Sequence, residues 1–265
     1  MIDKLRVAVL AQDDSFVIPR NIRLLGDIEQ VELVAVAKID ANAKGSMVSK
    51  KMLFFQGFGV TQTAKMALLS SINTIANIFD SMCLYKLGLM KSLPAAASSC
   101  GSEYKILLDP NSPESIGWLK NLNLDLVVSF SAPCVFKAEL LQLPKYGCIN
   151  LHCSLLPAYA GLLPSFWTLH EKAEQLGATV HKMDDKIDNG AILGQVEVSI
   201  PPNPSMFSVI KATKWAGGLL MVSVVKEILN GTSMERPNGI EPSNYYTWPT
   251  VQQIKAFRLG GGKLI

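Results

Sequence analysis

The sequence is poor in the residues that build metal sites and disulfide frameworks. It contains only three histidines in 265 residues, and its five cysteines include no pair at Cys-x-x-Cys spacing. No two histidines have metal-ligand spacing either, so no metal site is expected. An odd number of cysteines without paired spacing is typical of a reduced chain, which predicts a cytoplasmic protein.

Other absences argue against a nucleic acid partner, a membrane span and a phosphate-binding loop. Residues 11–16 read Ala-Gln-Asp-Asp-Ser-Phe and contain no Gly-x-Gly-x-x-Gly motif. Charged residues make up 18% of the chain and its net charge is +3, which is too small to indicate nucleic acid binding. The longest apolar region, 66–98, is interrupted by charged residues and a proline, so no membrane span is expected. Because the N-terminus runs directly into a strand-like segment, no signal peptide is expected.

What the sequence does contain is a large apolar content arranged in short runs. Hydrophobic residues make up 49% of the chain, enough for a sizeable core. Continuous apolar runs of this length are typical of strands buried on both faces. They lie at residues 5–10, 31–39, 105–108, 124–130 and 148–151, with helical patterns between them at 18–28 and 113–121. The alternation predicts an α/β fold, a Rossmann-like and mostly parallel sheet with helices on both faces.

Two segments depart from this alternation. The stretch 41–104 is long for one crossover and reads as a helical insert. Two interpretations stay open for it: a helical pair that packs on the sheet edge or forms a homodimer face, and a lid or surface for an apolar substrate or membrane. Two further strands, at 179–183 and 192–200, and a helix over 205–229 complete a catalytic domain of residues 1–231. Residues 232–265 form a short C-terminal appendage.

Three polar side chains stand out as candidates for catalysis. Asn150 and His152 are two residues apart at the end of a predicted strand, so both point to one face at the edge where open parallel sheets bind ligands. Asp188 precedes Asn-Gly, which fixes it in a tight turn. Alone, each feature is more typical of structure than of function.

In combination, the motifs around these residues resemble a known family. The order Asn-x-His-x-Ser-Leu-Leu-Pro-x-Tyr-x-Gly, Pro-Ser-Phe-Trp, Gly-x-Thr-x-His and Ile-Asp-Asn-Gly-x-Ile, over about 122–195, is similar to the folate-dependent formyltransferases. That family includes glycinamide ribonucleotide, methionyl-tRNA and nucleotide-sugar formyltransferases. The resemblance is weak over 41–104 and in the tail.

The resemblance implies transfer of a formyl group from the cosubstrate 10-formyltetrahydrofolate to an amine, without a metal. It assigns to Asn150 and His152 the stabilisation of the oxyanion that forms on the formyl group. It assigns to Asp188 the transfer of protons during the reaction, directly or through water, and the orientation of His152.

The resemblance also implies a slot for the folate ring beside two loops. The residues expected to bind the cosubstrate there are Phe130, Pro133, Val135, Phe136, Asp184, Asp185 and Ile187. Two departures from the family pattern concern binding. The loop at 130–136 lacks the usual glycine, and Ala158 and Ala160 stand where the family often has a basic residue.

The acceptor is expected to be the amine of an amino sugar nucleotide, because the aromatic tail resembles the appendages of the sugar enzymes. The residues expected to bind it are Ser154, Tyr159, Tyr246 and Trp248. The tail aromatics either stack on a nucleobase or merely pin the tail to the body. Other small-molecule amines, glycinamide ribonucleotide among them, and methionyl-tRNA are alternatives. The chain is too short to predict the RNA-binding domain of the methionyl-tRNA enzymes. A formyl-folate hydrolase and a non-catalytic binding protein are alternatives from other classes.

Overall fold

The core of the molecule is a seven-stranded sheet. The computed structural model describes residues 4–40, 47–200 and 202–265. The sheet has the order β3-β2-β1-β4-β5-β7-β8, in which β1 to β5 are parallel, β7 is antiparallel to β5, and β8 is antiparallel to β7. Its strands are β1 (Leu5–Ala11), β2 (Val31–Ile39), β3 (Glu103–Leu107), β4 (Leu126–Phe130), β5 (Cys148–His152), β7 (Leu176–Lys182) and β8 (Ile192–Val198). Two short strands, β6 (Ala160–Gly161) and β9 (Tyr245–Tyr246), pair apart from it.

The central strands are buried on both faces because their alternate side chains enter different cores. In β1, Val7 and Val9 belong to one buried cluster, whereas Ala8 and Leu10 belong to another. All four side chains are almost fully buried. This arrangement explains why the run shows no alternation of apolar and polar residues.

Helices cover both faces of this sheet. The helices are α1 (Ile18–Gly26), α2 (Met47–Phe58), α3 (Val60–Met82), α4 (Leu93–Cys100), α5 (Pro113–Asn121), α6 (Ala138–Leu141), α7 (Pro164–His170), α8 (Met206–Leu229) and α9 (Val251–Leu259). Helices α1, α4 and α8 contribute to the first core, and α5 and α6 to the second. The predicted Rossmann-like α/β fold is confirmed.

Helix α8 crosses one face of the sheet. Ser205 caps its N-terminus by accepting a hydrogen bond from the Ser208 backbone N–H, as Ser does at many helix starts. Among the described residues, α8 is the one helix whose length and mean hydropathy (1.3) suit a membrane span. In the fold, its apolar side chains pack on β7, β8 and α1.

The predicted insert contains α2, α3 and α4, and its first residues, 41–46, lie outside the described residues. Helix α4 serves as the crossover between β2 and β3 and packs on α1. Helix α2 packs on α9 in the appendage, so closely that a Cβ on Gly57 would lie 2.3 Å from the Ile254 side chain. The pair α2–α3 therefore packs mainly on the C-terminal tail. None of the five cysteines forms a disulfide.

The interface of α1 with α8 predicts a stability effect at a glycine. A Cβ on Gly218 would lie 2.3 Å from the side chain of Asn21, which is buried and donates to the Lys214 carbonyl. We expect Gly218→Ala to lower the free energy of unfolding by about 1–3 kcal/mol because the interface is overpacked. Gly117, in α5, has no atom within 4 Å of such a Cβ. Gly117→Ala is the matched control and is expected to raise the free energy by up to about 1 kcal/mol. Urea denaturation measures the free energy of unfolding of both variants. A change of the same sign and size in the two variants would contradict the packing argument.

Candidate active site

The candidate site lies where β5 ends beside the antiparallel strand β7. The register pairs Asn150 with Ser129 of β4 on one side and with His181 of β7 on the other. His152 pairs with Thr179 in the same way. Because residues two apart share a face, these pairs bring Asn150, His152 and His181 together at the carboxyl edge of the parallel strands.

The side chain of Asp188 closes this cluster, as the sequence predicts. Its Oδ2 atom lies 3.3 Å from His152 Nδ1, and its Oδ1 atom lies 3.6 Å from His181 Nε2. The side chains of His152 and Asp188 are only 6% and 10% exposed. The structure thus brings Asn150, His152 and Asp188 to one place, although the chain separates Asp188 from His152 by a loop, a helix and a strand.

The contacts of His152 favour its protonated form. Its Nε2 atom lies 2.9 Å from the Tyr159 carbonyl oxygen, which only accepts, and its Nδ1 atom faces the carboxylate of Asp188. Both ring nitrogens therefore face acceptors, which favours the cationic ring. Burial, the largest single effect, favours the neutral ring, but the charge and hydrogen bond of Asp188 together with the Tyr159 carbonyl outweigh it and raise the pKa of His152.

The same pairing acts in reverse on Asp188. Burial would raise the pKa of its carboxyl group, but chiefly the charge and hydrogen bond of His152 hold that pKa well below its ordinary value. Asp188 is thus a firmly ionised carboxylate, and a weak base while this pairing lasts.

His181 belongs to the site, although it was not among the predicted catalytic residues. Its Nδ1 atom donates to the Lys182 carbonyl at 2.7 Å. In the neutral ring, Nε2 then accepts from Asn150 Nδ2 at 3.1 Å. This bond fixes which way the Asn150 amide points, and Asn150 remains partly exposed. The motif Gly-x-Thr-x-His contains His181, but only the pairing of β7 with β5 shows that it faces Asn150.

The other members of that motif shape the turn after β5. Thr179 is buried, and its hydroxyl donates to the Ser154 carbonyl while accepting from the Leu156 backbone N–H. A Cβ on Gly177 would lie 2.4 Å from the Leu155 side chain. Glycine and threonine at these positions thus let the Leu-Leu-Pro turn pack against β7.

The backbone around Asp188 is held by residues from distant segments. Asp188 has a φ of 52°, in the left-handed region that Asp tolerates. Asn238, from the tail, donates to the carbonyls of Asp188 and Gly190 at 2.7 and 3.0 Å. The backbone N–H of Gly161 donates to Asp188 Oδ2 at 2.8 Å. No sequence signal marks Asn238, which lies 50 residues beyond Asp188.

The tail reaches the site through the small sheet of β6 and β9. Gly161 has a φ of 95°, and a Cβ there would lie 2.4 Å from the Tyr246 carbonyl oxygen. The Tyr246 ring lies 5.3 Å from the Tyr159 ring and 5.0 Å from the Trp167 ring. Its hydroxyl donates to Glu171. Trp248 packs on Phe54 of α2, so the tail aromatics hold the tail to the body.

The residues predicted to bind the folate ring differ in how deeply they are buried. Phe130 and Phe136 are buried in the two cores and have no free surface for a ligand. Pro133 and Val135 are exposed. In the second loop, Asp185 and Ile187 are exposed, whereas Asp184 accepts hydrogen bonds from Lys186 and Asn189 and thereby shapes the loop.

Of the residues predicted to bind the acceptor, Tyr159 and Tyr246 are partly exposed beside the site. Ser154 is buried and donates to the Ala158 carbonyl at 2.7 Å, so its hydroxyl supports the turn. Within the described residues, no group of three or more His, Cys, Asp and Glu side chains is placed to hold a metal ion.

Comparisons with known proteins agree with the geometry. Residues 102–225 match the family model described as "Formyl transferase". A methionyl-tRNA formyltransferase of Clostridium perfringens is 35% identical over 145 residues, 55% of this chain and 47% of that protein. The chain spans about half the length of the curated relatives it matches.

Two solved structures share the fold at low sequence identity. Glycinamide ribonucleotide transformylase 1 from Symbiobacterium toebii has a TM-score of 0.60 at 16% identity, over 87% of this chain and 90% of that one. An N-formyltransferase from Helicobacter canadensis, solved with folinic acid and dTDP-3-aminofucose, has a TM-score of 0.57 at 18% identity, over 91% and 70%.

The charge pair predicts a pH-dependent stability. Since the pKa of Asp188 is lowered, its contribution is present above about pH 4 and is lost as the pH falls through the lowered pKa. Since the pKa of His152 is raised, its contribution is fully present below about pH 6.5 and is lost as the pH rises through the raised pKa.

Removing one partner of a buried pair costs about 3–5 kcal/mol. We therefore expect Asp188→Asn to destabilise the fold by this amount near pH 5.5 and by less near pH 9, measured by urea denaturation.

Glu139→Gln is the control for this comparison, because Glu139 pairs with Lys120 at the surface. Surface pairs contribute about 0–1 kcal/mol. An equal loss of stability for Asp188→Asn at both pH values would contradict the charge pairing.

Proposed function

We propose that the chain is a formyltransferase, the family whose model matches residues 102–225, and that it transfers a formyl group from 10-formyltetrahydrofolate to a primary amine. The observation that carries the proposal is the cluster of Asn150, His152, His181 and Asp188 at one sheet edge. It offers an amide donor, a cationic ring and an ionised carboxylate around one reacting carbon.

In the proposed reaction, the amine nitrogen attacks the formyl carbon and the formyl oxygen becomes an oxyanion. The new C–N bond forms as the bond to the folate nitrogen breaks. The amine loses a proton and the folate nitrogen gains one, so atoms and charge balance. A preorganised donor aimed at the oxygen is the main requirement for such a step.

Asn150 is the proposed donor to the oxyanion. One hydrogen of its Nδ2 atom is directed to His181, which leaves the second hydrogen for the formyl oxygen. The His152 cation adds positive charge beside it. Because desolvated charges act strongly in a buried site, a ring held as a cation stabilises a nearby oxyanion before the reaction begins.

The lowered pKa of Asp188 bears on its proposed role. A firmly ionised carboxylate is a poor proton acceptor, but it is well suited to keep His152 protonated. We therefore assign to Asp188 chiefly the maintenance of the His152 cation. The amine proton would then pass to Asp188 after the His152–Asp188 pair has separated, or it would pass through water.

Exposed apolar residues support a folate slot next to this cluster. Pro133 and Val135 follow β4, and Ile187 lies in the loop that ends at Asp188. Cys134 and Met183, in or next to these loops, pack on the same core, which supports a slot between the loops. Phe130 and Phe136 would act by supporting these walls.

For the acceptor, we propose the amine of an amino sugar carried on a nucleotide. The partly exposed rings of Tyr159 and Tyr246, beside Asp188, support a partner with a planar base or a sugar ring. The Helicobacter canadensis structure, which contains dTDP-3-aminofucose, agrees with this proposal. The identity with the methionyl-tRNA enzyme makes methionyl-tRNA the second candidate.

The proposal is tested with purified protein, 10-formyltetrahydrofolate and a panel of amines. The panel holds amino sugar nucleotides, glycinamide ribonucleotide and methionyl-tRNA, each scored for a mass gain of one CO unit. We expect release of tetrahydrofolate only when an amino sugar nucleotide is present. Turnover without an amine would indicate a hydrolase, and tight folate binding without turnover would indicate a binding protein. Either result refutes the transferase.

The proposed roles predict a kinetic pattern. Asn150→Ala removes the oxyanion donor, and we expect kcat to fall by about 10²–10³ with little change in KM. Glu139→Gln, which changes a surface side chain paired with Lys120, serves as the control with unchanged kcat. A rise in KM at constant kcat would mean that Asn150 only binds the substrate, contrary to the proposed role.

A further inference from the structure

Three polar side chains of helix α3 point inward. Asn73 is buried, and its amide donates to the Ser15 carbonyl at 3.1 Å. Gln62 accepts from the Leu264 backbone N–H at 2.9 Å. Asp80 is fully buried and accepts two backbone hydrogen bonds from the loop after the helix. Polar contacts therefore contribute to holding α3 on the protein.

The opposite side of α3 is apolar and faces outward. Its residues follow each other at intervals of four and three, which places them in one stripe along the helix. They are between 52% and 77% exposed and comprise Leu68, Ile72, Ile75, Phe79 and Met82. A helix of 23 residues is about 35 Å long, and the exposed Leu84 and Leu87 extend the stripe beyond its end. An apolar surface of this size is typical of a binding face.

Positive charge predominates in the part of this segment whose side chains the structure describes. Residues 52–102 contain three lysines and one acidic residue, Asp80, which is buried. This part therefore has a net charge of +2. Lys65 and Lys86 are exposed on α3 and just after it. The partner that matches this face is apolar in its interior and anionic at its surface.

We propose that the outward face of α3 and the loop at 83–89 docks on an anionic lipid bilayer. The apolar stripe would enter the boundary between headgroups and acyl chains, while the lysines contact the headgroups. Lysines near such a surface strengthen binding to anionic lipids. A second copy of the chain fits less well, because a two-fold interface would place the same lysine-rich segments against each other.

The insert that carries this face is connected to the candidate site through the tail. Helix α2 packs on α9, and Phe54 contacts Trp248. The tail in turn pairs with β6 next to Asp188. The inference does not depend on the proposed function, because vesicle binding is measured without turnover.

The test uses co-sedimentation of the full chain with vesicles. One set is phosphatidylcholine alone, and the other contains one part phosphatidylserine to two parts phosphatidylcholine. We expect at least tenfold tighter binding to the anionic vesicles. This preference should weaken when about 1 M salt shortens the Debye length to about 3 Å.

Matched variants distinguish vesicle binding through the α3 face from nonspecific hydrophobic adsorption. Ile75 is 66% exposed and Met234, elsewhere on the surface, is 76% exposed. Ile75→Asp should lower vesicle affinity at least tenfold, whereas Met234→Asp, which adds the same charge, should not. Lys65→Gln with Lys86→Gln should weaken binding to anionic vesicles only. Circular dichroism checks that each variant is folded.

Other outcomes would overturn the proposal. Equal binding to both vesicle types, or equal effects of Ile75→Asp and Met234→Asp, would exclude a specific face. Absence of vesicle binding, together with a dimer that Ile75→Asp dissociates in sedimentation, would show that a second copy covers the stripe. Absence of binding by a monomer would also refute it.

Discussion

The arrangement of the candidate site depends on one buried charge pair, between the His152 ring and the Asp188 carboxylate. Neither group is stable alone in such surroundings, because burial penalises an unpaired charge by several kcal/mol. Together they require a strand end that projects His152 and a turn that holds Asp188 at a positive φ. The Tyr159 carbonyl and the Gly161 N–H complete the set. The pair therefore constrains backbone geometry in three separate segments.

This constraint extends into the C-terminal tail. Asn238 holds the carbonyl groups of the Asp188 turn, and β9 runs beside β6, whose Gly161 contacts the Asp188 carboxylate. The tail also packs on helix α2 through α9 and Trp248. Tail, insert and site thus form one connected body, although the resemblance to known enzymes is weak in the first two.

Much of the fold and part of the site could be predicted from the sequence. Strand β2 and helix α5 have the predicted bounds, because long apolar runs and the Ser112 cap are local signals. His181 and Asn238 were missed because their roles come from strand pairing and from a contact across 50 residues. Periodicity finds the apolar stripe of α3 but cannot show that it faces outward, since burial depends on what surrounds the helix.

The most direct test of the central claim is the protonation of His152, read by nitrogen NMR of labelled histidine rings. The account predicts two protonated ring nitrogens on His152 at neutral pH and a pKa above the ordinary value of about 6.5. In Asp188→Asn, the same ring should be neutral at neutral pH. A His152 ring that is neutral in the unaltered protein at pH 7, or that titrates identically in both proteins, would contradict the account.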